Sequence, residues 1–351
     1  MDDSRRRFYE AIATRAQTFS KGFYKKFTVA DLKGLRFSRE LYRGQHGLPM
    51  IVYEPPLPVV KDGKPSPRVK CSIFGAPSKM ACLTFSLPAG PPQDKFQGTC
   101  PASGYDVDHP AFICNACYAL GGNYVLYPDV IRKGMVLREW THQAVRAGAF
   151  ADLMTMALEH AFAIPARTRV FKDKKGKITD VSTNDYFRVH DSGDFFSTSY
   201  FEQWCQVASN FPRTLFWAPT RVCMNPDNTT NAWVRTLRKA PENLIVRPST
   251  MYFEDRPPVV KGLAAGSTAA RRAIPGVFDC RAYGKDSPAE RNCKSAGCRK
   301  CWTAPDTPIR YFPHGGAITR LYKAAGFSVA SNPPAAMEPR PDTLAGEGDE
   351  L

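Results

Sequence analysis

Seven of the eleven cysteines in this 351-residue chain fall into two groups, Cys100-x13-Cys114-x2-Cys117 and Cys280-x12-Cys293-x4-Cys298-x2-Cys301. The first residues, Met1 to Tyr9, lack the apolar stretch of a secretory signal. The expected setting is therefore the reducing cytoplasm, where disulfides do not persist and clustered cysteines read first as ligands for metal or iron–sulfur. Three thiolates leave one coordination position open, whereas a structural zinc ion normally closes with four protein ligands. Cys100, Cys114 and Cys117 thus suit an open 4Fe-4S cluster whose remaining iron binds something other than protein; His109 as a fourth ligand would make an ordinary zinc site instead. Cys280, Cys293, Cys298 and Cys301 supply four ligands, and zinc or a second 4Fe-4S cluster fits them equally. Ten residues separate Cys71 from Cys82, a gap that says nothing. Cys205 and Cys223 read as buried thiols.

Hydrophobic residues at 43% and charged residues at 23% place the chain among ordinary soluble proteins able to bury a core. Its length allows one large domain or two smaller ones. No apolar run reaches the roughly 18 residues of a membrane span. The net charge of +15 points to a polyanionic partner, nucleic acid first. Residues 1–50 carry eleven Lys/Arg against five Asp/Glu. Ser4 to Phe27 can form a basic helix with Phe8, Ile12, Ala16 and Phe19 on one face. It is either an arm that releases counterions from a phosphate backbone or an amphipathic helix packed on the core. Residues 54–70, rich in Pro and Lys, read as a linker.

From Pro128 to Phe162 the pattern is helical, with a break near Gly148. Beyond it, short apolar runs at Phe187–His190, Leu215–Trp217 and Leu244–Val246 alternate with helical stretches at Thr198–Ser209 and Asn228–Lys239. Such alternation predicts an α/β fold of βα units with a parallel sheet. The expected divisions are a basic region and linker (1–70), a βα core (71–275), a cysteine-rich segment (276–331) and a disordered tail (332–351). In such folds the C-terminal strand ends build the site, and polar residues gather there: Asp191-Ser192-Gly193-Asp194, Arg221 and Arg247. Arg221 and Arg247 could hold a carboxylate or phosphate, or form structural ion pairs. His190 reads as an acid–base candidate or as a hydrogen-bonded core imidazole, and Trp217 as core. No P-loop, dinucleotide-binding, zincin or nucleophile-elbow motif competes.

Ser86-Leu-Pro-Ala-Gly90, Thr99-Cys-Pro-Ala102, Cys114-Asn-Ala-Cys117-Tyr-Ala119, His190-Asp-Ser-Gly-Asp194, Trp217-Ala-Pro-Thr-Arg221 and the late group ending Cys301-Trp302 resemble phage-encoded proteins of the gene product 88 type. These are similar to the radical S-adenosylmethionine (SAM) superfamily, which implies a partial or full βα barrel, here with a basic N-terminal extension and a C-terminal four-cysteine segment. The usual superfamily spacing is C-x3-C-x2-C with an aromatic before the last cysteine; here the first gap is thirteen residues and Tyr118 follows Cys117. The resemblance implies that Cys100, Cys114 and Cys117 hold a 4Fe-4S cluster and that the free iron chelates SAM. It further implies that Ser192, Gly193 and Asp194 receive the SAM amino group, with Arg221 and Arg247 as further cofactor contacts. A host electron donor such as a flavodoxin is implied as reductant. The implied reaction is rearrangement or modification of an amino-acid-substituted thymidine in viral DNA, the base leaving the stack to meet the radical. The protein would then work in the cytoplasm of the host. The alternatives are a radical SAM enzyme acting on tRNA or peptide, and a zinc-holding, nucleic-acid-binding protein without catalysis.

Overall fold

The computed structural model describes residues 42–43, 49–53, 59–61, 64–66 and most of 69–313; the gaps in that last stretch are 76, 78–79, 81, 93–97, 107, 110, 121–123, 125–127, 164–169, 173–177, 182–183, 284–292 and 294–296. The basic helix expected at Ser4–Phe27 and the tail expected at 332–351 lie outside the described residues.

A five-stranded sheet organises the rest. Its strands are β1 (Phe74–Gly75), β2 (Leu83–Phe85), β3 (Tyr186–Val189), β4 (Leu215–Thr220) and β5 (Leu244–Pro248), in the order β5-β4-β3-β2-β1. β2 to β5 run parallel, each beside its successor in sequence, and β1 pairs antiparallel with β2 at the edge. Right-handed crossovers between successive parallel neighbours put the connecting helices on one face. These helices are α1 (Pro128–Arg146) and α2 (Phe150–Phe162) between β2 and β3, α3 (Thr198–Asn210) before β4, and α4 (Trp233–Leu237) before β5.

Local chemistry sets the helix ends. Gly148, at φ +65°, stops α1: its N–H donates to the Val145 carbonyl while Ala149 donates to Ala144, the paired bonds of a Schellman ending. Ser197 caps α3, its Oγ accepting from the Tyr200 N–H at 3.2 Å. The helix expected at Asn228–Lys239 shrinks to Trp233–Leu237. Asp227 Oδ1 accepts from both the N–H and the hydroxyl of Thr229, and such side-chain bonds offer the backbone an alternative to helix. Within the linker expected at 54–70, Val59–Lys61 pairs antiparallel with Lys64–Ser66.

Alternation along the strands sorts side chains between two cores. Phe187, Val189, Phe216 and Ala218 face the helices, where Trp204, Phe150, Tyr200 and Phe85 pack edge to face. Tyr186, Arg188, Leu215 and Trp217 face the other way. There they meet a second parallel sheet, β6 (Ser267–Ala269), β8 (Ile309–Tyr311) and β7 (Phe278–Asp279) in that order, and the short helix α5 (Lys300–Thr303). A parallel bridge from Ser249 to Ser267 joins the two sheets. The architecture is mixed α/β with parallel sheets; no closed barrel forms among the described residues.

Candidate metal and cofactor site

Cys100, Cys114 and Cys117 all belong to the long connection leaving the C-terminal end of β2. Cys100 precedes the 3-10 turn Pro101–Gly104, Cys114 lies in the turn Ile113–Ala116, and Cys117 closes that turn. Backbone bonds hold each piece. The Cys100 N–H donates to Gly90 O at 2.9 Å, and reciprocal bonds join Ile113 N–H to Met251 O and Phe253 N–H to Ala111 O, both 2.9 Å. Gly98 packs so closely on Gly90 that a Cβ would fall 2.1 Å from the Gly90 carbonyl oxygen.

The three thiols share one electrostatic neighbourhood. Burial pushes all three above the ordinary thiol range, Cys114 to about 12. Cys114 and Cys117 raise Cys100 further, as does Asp194, while Arg221 pulls Cys114 and Cys117 down. Thiols in this condition are protonated at neutral pH, so metal loading must expel protons.

The loop after β3 packs directly against this connection. Leu87 N–H donates to Ser192 O at 2.9 Å, and Ser192 Oγ donates to Leu87 O at 2.6 Å. Gly193 has φ +86°, and a Cβ there would lie 2.6 Å from Thr99 Oγ1, so no other residue fits. Asp194 is buried, and its carboxylate accepts from Phe195 N–H (2.8 Å), Thr220 Oγ1 (2.6 Å) and Arg221 N–H (2.9 Å). It therefore ties the β3 loop to the end of β4. Arg221 donates through Nε to Thr250 O at 2.9 Å.

The other residues singled out from sequence stand elsewhere. Arg247 is fully buried, and its guanidinium donates to the carbonyls of Ala265, Thr307 (2.8 Å) and Ala304 (3.0 Å). His109 Nδ1 accepts from Ala111 N–H at 3.1 Å and its ring packs on Tyr252. His190 is buried among Phe195 and Tyr200, with Nε2 2.9 Å from the Tyr200 hydroxyl. Burial, assisted by Arg188, lowers its pKa to about 3, so the ring stays neutral across the physiological range. An unfolded imidazole near 6.5 binds a proton that the folded one refuses. His190 thus destabilises the fold as pH drops below about 6.5 toward 3, by on the order of a few kcal/mol. His190→Gln should flatten that part of a stability-against-pH curve measured by urea unfolding; an unchanged slope would refute the assignment.

Sequence reading missed the group beside the first thiol loop. Arg188 Nη1 pairs with Asp191 Oδ1 at 2.6 Å, and Nη2 donates to Tyr118 Oη at 3.4 Å. Tyr118 and Tyr124 donate to Asp191 O and Oδ2. The guanidinium lies 4.9 Å above the Trp217 ring. The late cysteines also come together: Cys280, Cys293, Cys298 and Cys301 border one small cavity with Arg299 and Lys300. Cys82 is buried in the core behind Cys301.

Among the described residues no group of three or more His, Cys, Asp or Glu is arranged to hold a metal ion.

No described helix is long and apolar enough to cross a membrane. No curated protein and no solved structure matches the chain. Residues 61–304 match the family model described as Gene product 88, a span that takes in both cysteine groups and strands β1 to β5. With more than half of its length covered, the chain belongs to the phage-derived Gene product 88 family.

Proposed function

We propose that this protein is a radical SAM enzyme that rearranges or modifies an amino-acid-substituted thymidine in phage DNA. The observation that carries this reading is the juxtaposition of Cys100, Cys114 and Cys117, after the first parallel strand, with Asp194 and Arg221, after the second and third. The strand order, each parallel strand beside its successor, suits a partial βα barrel with its site at the C-terminal strand ends.

The three thiols would hold a 4Fe-4S cluster, their protons leaving as it loads. Once bound, cluster and SAM supply a deoxyadenosyl radical that abstracts hydrogen from an unactivated carbon, the hard chemistry being the cofactor's. The chain's own residues bind and orient. Arg221, anchored at Nε by Thr250 O, offers its remaining N–H groups to a carboxylate. Ser192 Oγ donates to Leu87 O and keeps its lone pairs for an ammonium. Asp194 acts as a positioning residue, because its three accepted bonds fix the Arg221 backbone. Arg188, Asp191 and Tyr118 form a wall beside Cys117. The choice of DNA rests on the charge of +15 and on the phage family; the base must be extruded to reach such a site.

Anaerobic reconstitution with iron and sulfide tests the reading. The expected product is a brown protein that cleaves SAM to deoxyadenosine when reduced by dithionite or a flavodoxin. Incubation with hypermodified phage DNA, followed by nucleoside mass analysis, should then show a converted thymidine. A colourless protein loaded only with zinc overturns the proposal.

A further inference from the structure

We propose that Tyr118 is a stacking platform for an unpaired pyrimidine base, set at the edge of the first thiol loop. This inference rests on the reading that the substrate is a base in DNA, and it names the surface that receives the base once it has left the duplex.

Two aromatic side chains are exposed among the described residues, Tyr105 at 42% and Tyr118 at 51%. Both belong to the connection that carries Cys100, Cys114 and Cys117. Tyr105 closes the turn Pro101–Gly104, and Tyr118 follows Cys117 directly. A single exposed ring is ordinary on a protein surface; what sets Tyr118 apart is how it is held. Its backbone opens the 3-10 turn Tyr118–Leu120, in which Leu120 N–H donates to Cys117 O at 3.0 Å. Its hydroxyl donates to Asp191 O and accepts from Arg188 Nη2 at 3.4 Å. Tyr124 meets the ring edge to face at 5.6 Å and donates its own hydroxyl to Asp191 Oδ2. Arg188 is locked in turn, between Asp191 Oδ1 at 2.6 Å and the Trp217 ring at 4.9 Å. The polar end of Tyr118 is thus consumed within the protein, and what it leaves to solvent is ring. A ring fixed in this way loses little rotamer freedom when a partner stacks on it.

Its place suits a substrate. Arg188 lies on the face of the sheet turned away from the helices, so Tyr118, bonded to it, stands on that side, at the C-terminal strand ends between Cys117 and the loop Asp191–Asp194. The partly exposed Arg221 adds a cation near Cys117. A fixed aromatic plane combined with an excess of cations is the chemistry that binds unpaired nucleotides: the ring takes the base and the cations take the phosphates. The net charge of +15 favours a polyanion as the bearer of the flat partner.

The test uses the full chain without iron and two probes, a short fluorescein-labelled oligothymidine and an abasic strand of the same length, followed by anisotropy. The protein should bind oligothymidine more tightly than the abasic strand. Tyr118→Ala should weaken oligothymidine binding roughly tenfold, the worth of one base–aromatic stack, and leave the abasic strand where it was. Tyr118→Phe keeps the ring and should recover most of the lost affinity. Tyr118→Leu takes the place of Tyr118→Ala should that variant not fold. Undiminished oligothymidine binding by Tyr118→Ala overturns the platform. Equal losses for both strands overturn it too, because they mark a loop that has merely shifted. So does a loss of SAM affinity in reconstituted Tyr118→Ala with oligothymidine binding intact, which gives the ring to the cofactor's adenine. The oligonucleotide measurement needs no cluster. A colourless protein that still tells the two strands apart through Tyr118 therefore sinks the radical SAM reading and leaves the platform, whereas a brown, SAM-cleaving protein that binds both strands alike sinks the platform alone.

Discussion

Cys114→Ala is expected to abolish deoxyadenosine formation from SAM, to the level of protein without iron. Cys114 is enmeshed with its neighbours: burial raises it, it feels Arg221 as a positive neighbour and Cys117 and Asp194 as negative ones, and it in turn raises Cys100. Its turn is held on both sides, by Ile113 N–H to Met251 O and by Cys117 N–H to Cys114 O at 3.3 Å, so the loop cannot supply a substitute ligand by sliding. The iron bound on reconstitution should fall with it. Cys205→Ala is the control. Cys205 sits in α3, away from both thiol groups, with a pKa pushed to about 12 by burial, and its loss should leave iron and SAM cleavage unchanged. Undiminished SAM cleavage by Cys114→Ala would show that these thiols hold no catalytic cluster.

What could be read in the sequence was whatever has a local cause. The runs at Phe187, Leu215 and Leu244 are apolar, short and followed by turn residues, and each is a parallel strand. The break at Gly148 is a glycine in the left-handed region, which only backbone sterics demand. The two cysteine groups were visible as spacings. The partner that each strand-end residue finds is set by chain far away, and there local reading stopped. Arg188 alternates with Phe187 and Val189 along β3, and what stacks against it comes from Trp217 and, behind that ring, from Trp302, a segment more than a hundred residues later. Asp194, a cofactor contact by resemblance, bonds Thr220 and the Arg221 backbone, partners that no local pattern marks. The helix of Asn228–Lys239 lost its first turn to Asp227 and Thr229, whose side chains compete for backbone groups.

The two arginines at successive strand ends separate most sharply under mutation. Arg247→Met should cost about 3–5 kcal/mol of stability in urea unfolding, because it leaves three buried carbonyls without their donor at roughly 1–3 kcal/mol each. Its guanidinium is completely buried and donates to three backbone carbonyls, at Ala265, Ala304 and Thr307. Methionine fills the space of the alkyl stem and satisfies none of them, and a buried acceptor left without a donor carries its full desolvation penalty. Those carbonyls lie in the segments flanking β6 and α5, so Arg247 is the strut between the first sheet and the late segment. Arg221→Met should behave in the opposite way. Arg221 is only partly buried, its side chain donates to Thr250 O, and its backbone bond to Asp194 survives the substitution. Stability should change by no more than about 1–2 kcal/mol, while SAM affinity, measured by equilibrium dialysis on the reconstituted protein, should drop by more than roughly tenfold, the worth of one lost charge-assisted contact. Equal stability losses in the two variants would make both arginines structural and remove Arg221 from the cofactor site.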